Sequence, residues 1–179
     1  MARHVRTLTL CAAAVLMLLW SGTAAAQNQP PLSPPAQAEG MIGEAHVTID
    51  YSRPSKRGRV IFGELVPWGK VWRTGANAAT TLTTDRDLVI GGAEVPAGTY
   101  TLYTIPSAEG AWKLIINKQT GQWGTQHDAA QDLARMDMQV AQVEEPVEQF
   151  TIEVEPDGDA GVLRLTWDTT AATVPIAAR

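Results

Sequence analysis

The side chains able to do chemistry concentrate in one run, residues 61–81, IFGELVPWGKVWRTGANAATT. Arg73 offers a planar fork of donors suited to a carboxylate or phosphate. Lys70 adds a second cation, Asn77 a carboxamide, and Trp68 and Trp72 two indole faces for stacking. The preceding turn, SRPSKRGR, contributes Arg53 and Arg59, and the later segment GQWG contributes Trp123 between two glycines. Such a set could grip a small polar, anionic or sugar-like ligand. The candidate ligand-binding residues are therefore Arg53, Arg59, Trp68, Arg73, Asn77 and Trp123. The competing reading makes Trp68 and Trp72 core, pairs Arg73 with a carboxylate, closes a turn with Asn77 and uses Trp123 as a loop anchor.

A second set is sparser. His46, Asp50 and His127, with Asp128 beside the last, could build a metal-assisted or metal-free hydrolase if their segments met. Their spacing is not diagnostic, and a carboxylate pair such as Asp50 with Glu64 arises by chance in an acidic chain. Serine-nucleophile elbows, phosphate-binding loops, dinucleotide glycine fingerprints and zinc-protease helices are missing from the sequence. The single cysteine, Cys11, lies in the apolar N-terminal stretch. No motif fixes a reaction, no cofactor is implied, and folding is expected to need no metal.

Positioning these residues falls to strands. AHVTIDY, residues 45–51, alternates apolar and polar, with Val47, Ile49 and Tyr51 on one face. Residues 80–84, 87–90, 99–105 and 111–117 read as further strands, rich in threonine, valine, isoleucine and tyrosine. Gly91-Gly92 and residues 95–98 mark tight turns. Residues 135–143, 147–155, 162–167 and 173–176 complete the set, with PDGDAG as a hairpin turn. The glycines and Pro67 of the central run predict a folded loop there. Residues 118–132 form a loop long enough to carry function, with one helical turn over 128–132. Nine or ten short strands and no helical stripe predict an all-β domain, a two-sheet β-sandwich for which a jelly roll is one connection.

The N-terminus reads as an export signal. Arg3 and Arg6 precede an apolar stretch over 8–20, and Ala24-Ala25-Ala26 supplies small residues for cleavage before Gln27. The stretch is short for a membrane span, which takes roughly 20 residues. Residues 1–26 are expected as a signal peptide, 27–40 as a proline-rich linker and 41–179 as one domain. The protein is expected to be periplasmic or extracellular, with no span after cleavage. Removing residues 1–26 leaves 12 basic against 19 acidic residues, a net charge of −7, which disfavours nucleic acid and anionic membranes. Six cations, Arg53, Lys56, Arg57, Arg59, Lys70 and Arg73, nevertheless lie within 21 residues, while residues 144–159 hold seven acids and no cation. These two regions either present an anion-facing surface on an acidic body or face each other across the fold.

The run YSRPSKRGRVIFGELVPWGKVWRTGANAATTLT, with VPAGTYTLYTIP, WKLIINKQTGQWGT and VLRLTWDTTAATVPI further on, resembles the family of domains of unknown function DUF2911. The resemblance extends over about residues 42–177. It implies a secreted bacterial domain and no catalytic residue. In that family the residue after the GAN asparagine is commonly glutamate; here it is Ala78. Three functions follow as expectations: a small-ligand binding module first, a hydrolase second, and an envelope structural or protein-interaction domain third.

Overall fold

A computed structural model describes residues 31–179; the expected signal peptide and the start of the linker lie outside them. Nine strands form the domain: β1 Pro35–Ile42, β2 Ala45–Ser52, β3 Thr80–Thr84, β4 Leu88–Ile90, β5 Ala93–Val95, β6 Gly98–Ile105, β7 Trp112–Asn117, β8 Asp132–Asp157 and β9 Ala160–Ala178. The only helical element among the described residues is a single 3-10 turn, Ala129–Gln131, capped by the Asp128 carboxylate on the amide of Ala130. No helix among the described residues is long and apolar enough to cross a membrane. The domain is all-β, as the alternating pattern predicts.

The strands form one antiparallel hydrogen-bonded order, β1-β2-β3-β6-β7-β8-β9-β4-β5, rather than two separate sheets. Strand β8 turns this open sheet back on itself. Its first residues pair with β7, and after Gln139 it pairs with β9 through two register shifts, between Gln142 and Val147 and between Val147 and Thr151. Bulges of this kind bend a strand. The bend carries the far end of β8 back to β1 and β2. There the amide of Ile152 donates to the Tyr51 hydroxyl at 3.0 Å. A Cβ on Gly40 would lie 2.8 Å from the Val154 side chain, so the absence of a side chain lets β1 approach β8.

The inward faces follow the period of two. Val47, Ile49 and Tyr51 of β2 are buried, while His46 and Asp50 are exposed. Leu102, Leu114, Ile116, Phe150, Ile152, Leu163, Leu165 and Trp167 continue the core. Two expectations need correction. The proline-rich linker expected over 27–40 is, from Pro35, the paired strand β1; only Ala38 and Ile42 of that strand are buried, so its apolar pattern is faint. The pairs of short strands expected over 135–155 and 162–176 are single long strands, because Glu144, Glu145 and Pro146 sit in a bulge and not in a turn.

Strand β6 breaks the alternation, with the five residues Tyr100–Thr104 all buried. Its second face is covered by loops. Trp72 exchanges backbone hydrogen bonds with Thr104 at 2.7 and 2.9 Å, which lays the central run along the end of β6. From the other side Gln122 donates to Thr101 and to the Tyr103 hydroxyl. The two chemistry-bearing loops thus meet over one strand.

Candidate functional site

Between these loops lies a cleft of about 540 Å³. This is within the usual range for small-molecule sites. Arg57, Arg59, Lys70 and Arg73 line it, with no aspartate or glutamate among the lining residues. Leu32, Leu65, Val71 and Trp72 supply apolar wall, and Asn77, Tyr103, Thr125 and His127 supply polar atoms.

The turn that carries Arg73 and Asn77 is conformationally demanding. Thr74, fully buried, holds a φ of 52°, and Asn77 a φ of 60°. Asparagine tolerates that region, but a β-branched residue there is a strained one. Packing holds Thr74 in place: its hydroxyl donates to the Thr104 hydroxyl at 3.2 Å, and its carbonyl accepts from the Thr80 hydroxyl at 2.7 Å. Strain of this kind concentrates at functional sites. Gly124 lets the second loop close on the turn, since a Cβ there would lie 2.6 Å from Arg73 Cδ and 2.9 Å from the Asn77 carbonyl. Its amide donates to that carbonyl at 3.2 Å.

The cations differ in their attachments. Arg73, half-buried, makes one hydrogen bond, from Nε to the Gly75 carbonyl at 3.3 Å, and no ion pair among the described residues. Arg59 donates to the carbonyls of Lys56 and Ser55, and Arg57 to the carbonyl of Leu32. Among the described residues no ion pair engages Arg57, Arg59 or Lys70. Among the described residues Arg73 has no carboxylate partner of the kind the competing reading required.

Of the six candidates, Arg59, Arg73 and Asn77 line the cleft. Arg53 does not: its guanidinium bonds the Phe150 carbonyl and the Thr151 hydroxyl and fastens the cationic turn to β8. Lys56 pairs with Asp168 at 2.5 Å beside it. Part of the basic region therefore does face β8 and β9, where the turn also bridges Ser55 to Gln149. Trp68 also lies off the cleft, stacked on Phe62 at 6.0 Å and facing a shallow groove with Trp112 and Val140. Trp123 is half exposed just outside the cleft, next to the lining residue Gly124, and bridges Ala78. Lys70 and Arg57 were visible as cations. Tyr103, from a strand, and Leu32, from the proline-rich segment, carried no signal of a site.

The hydrolase residues do not assemble. His46 faces Glu39 at 3.9 Å and bonds Asp85 through its amide, Asp50 accepts from Gln37, and His127 turns to Asp132. No group of three His, Cys, Asp or Glu gathers among the described residues. Asp132 instead anchors the second loop. Its carboxylate accepts from Asn117 at 2.7 Å, from His127 Nε2 at 2.8 Å and from both Arg135 nitrogens. Burial raises its pKa, but the hydrogen bonds from Asn117, His127 and Arg135 outweigh this and leave it lowered. The Arg164 hydrogen bond lowers Glu155 likewise. A carboxylate whose folded pKa is depressed stabilises above its unfolded pKa and loses that contribution as pH falls through the folded one. The wild-type domain is therefore expected to lose melting temperature progressively below about pH 4. Asp132→Asn should flatten that slope; an unchanged acid profile would contradict the role of Asp132.

No curated protein and no solved structure matches this chain. A family model described as a protein of unknown function, DUF2911, matches residues 33–176, which take in every cleft-lining residue but Leu32, and the chain belongs to that family.

Proposed function

We propose that the protein is an exported binding module for a small anion, held in the cleft between the central run and residues 118–131. One observation carries this reading: four cations and no carboxylate line the cleft of a chain whose formal charge is −5. Arg57, Arg59 and Lys70 are exposed and screened by water and salt, and Glu148 accepts from the Arg57 amide, but like charges gathered in one cleft still repel, and a bound anion relieves that repulsion. The apolar residues Leu65 and Val71, exposed at the cleft wall, give the ligand's carbon skeleton a surface. They also place exposed apolar area inside a concavity, which favours a small ligand over a flat protein-interaction face.

The test is a thermal-shift screen of residues 27–179 against carboxylates, phosphates, sugar acids and neutral sugars. Anions should raise the melting temperature and neutral sugars should not, and the shift should shrink with added salt. No stabilisation by any anion at low salt would overturn the reading. Export rests on the leader-like residues 1–26; a mature N-terminus at Gln27 in the exported protein checks it, and an intact Met1 would contradict it.

A further inference from the structure

His127 lines the cleft among the cations, yet it is built differently from them. Its side chain is 13% exposed and that of Asp132 is 9% exposed. The ring is clamped from two sides: Nε2 lies 2.8 Å from Asp132 Oδ1, and the Tyr103 ring meets it edge-on at 4.7 Å. Asp132 is held as a carboxylate by Asn117 and Arg135, so it can only accept. The proton of the Asp132–His127 bond therefore belongs to Nε2. In the neutral ring that leaves Nδ1 as a bare acceptor. Nδ1 has no partner among the described residues and is not among the enclosed polar atoms that lack one. On a residue that lines a cleft of donors, an acceptor is of no use to a bare anion, which brings only acceptors of its own.

We propose that His127 selects, among small anions, those that also carry a hydroxyl, so that the ligand class is hydroxylated organic anions such as hydroxy acids and sugar acids. This rests on the anion-binding reading above. The cations take the charged group, and Nδ1 accepts from a ligand hydroxyl. Asp132 is a positioning residue: it sets which nitrogen holds the proton.

Three probes separate the parts: glucuronate, with charge and hydroxyls; cyclohexanecarboxylate, with the charge alone; and glucose, with hydroxyls alone. Binding is measured by calorimetry at pH 8. Glucuronate should bind the wild type about five- to tenfold more tightly than cyclohexanecarboxylate, the scale of one hydrogen bond. His127→Phe should abolish that preference, so that the two anions bind equally. His127→Gln, whose amide oxygen can accept, should restore part of it, and a melting curve for each variant confirms folding. Equal binding of the two anions by the wild type, or a preference that survives in folded His127→Phe, overturns the proposal and leaves the anion site standing. Binding of neither anion overturns both. Glucose binding as well as glucuronate would also overturn both, since charge would then count for nothing.

Discussion

Trp167→Ala is expected to destabilise the domain by about 3–5 kcal/mol, the range for deleting a buried large aromatic side chain. Trp167 is 1% exposed and sits at the centre of an aromatic cluster. It stacks on Trp72 at 5.8 Å and 17°, and meets Phe150 at 5.9 Å and Phe62 at 6.3 Å. Its indole N–H also donates to the Glu148 carbonyl at 3.2 Å, so truncation both opens a cavity and removes a donor. Ordinary domains are stable by only about 5–15 kcal/mol, so this one change removes a large share of the total. Thermal melting should fall by about 6–20 °C, at about 2–4 °C per kcal/mol for a domain of this size. Trp123→Ala is the control: that ring is 54% exposed, and its loss should shift stability by no more than about 0.5 kcal/mol. Equal melting temperatures for Trp167→Ala and the wild type would mean that the aromatic cluster does not hold the central run on the sheet.

Arg73→Ala is expected to behave in the opposite way, with little change in stability and a large change in binding. Its guanidinium makes one long hydrogen bond to the Gly75 carbonyl and no ion pair among the described residues. Removing it strands no buried counter-charge, so the penalty of about 3–5 kcal/mol for breaking a buried pair does not apply. Stability should change by about 0–1 kcal/mol. Anion binding should weaken by about 1.5–3 kcal/mol, the scale of a hydrogen bond to a charged group, or roughly tenfold to more than a hundredfold. Calorimetric titration beside a melting curve of the free variant measures both quantities. A melting temperature that collapses while affinity is unchanged would make Arg73 a structural arginine.

The sequence reports these two residues unequally. Strands with strict alternation, β2 above all, are legible almost to the residue because one face is core and the other is solvent. The bend of β8 is not legible, since Glu144, Glu145 and Pro146 have the composition of a turn and only the register with β9 makes them a bulge. In the site, the run that bears Arg73 and Asn77 stands out by its glycines and charges. Which cation enters the cleft is decided by packing across long separations. Arg53 and Arg59 look equivalent in SRPSKRGR, yet Arg53 is drawn to the carbonyl of Phe150, 97 residues away. His127 was visible as a rare residue and its partner Asp132 lies close by in the chain, but its neighbour Tyr103 follows from the loop crossing β6, which no local pattern encodes.

The ends of the strand order bear on how copies of this protein behave when crowded together. An open sheet ends in strands whose unpaired amides and carbonyls can template polymerisation. Here one end is β5, three residues long, carrying Glu94 and followed at once by Pro96. The other is β1, which opens at Pro35, carries Glu39 and leans on β8 through Gly40. Among the described residues neither offers a long, flat, apolar ladder to a second chain. The fold therefore guards both of its edges against growth into fibres without closing into a barrel.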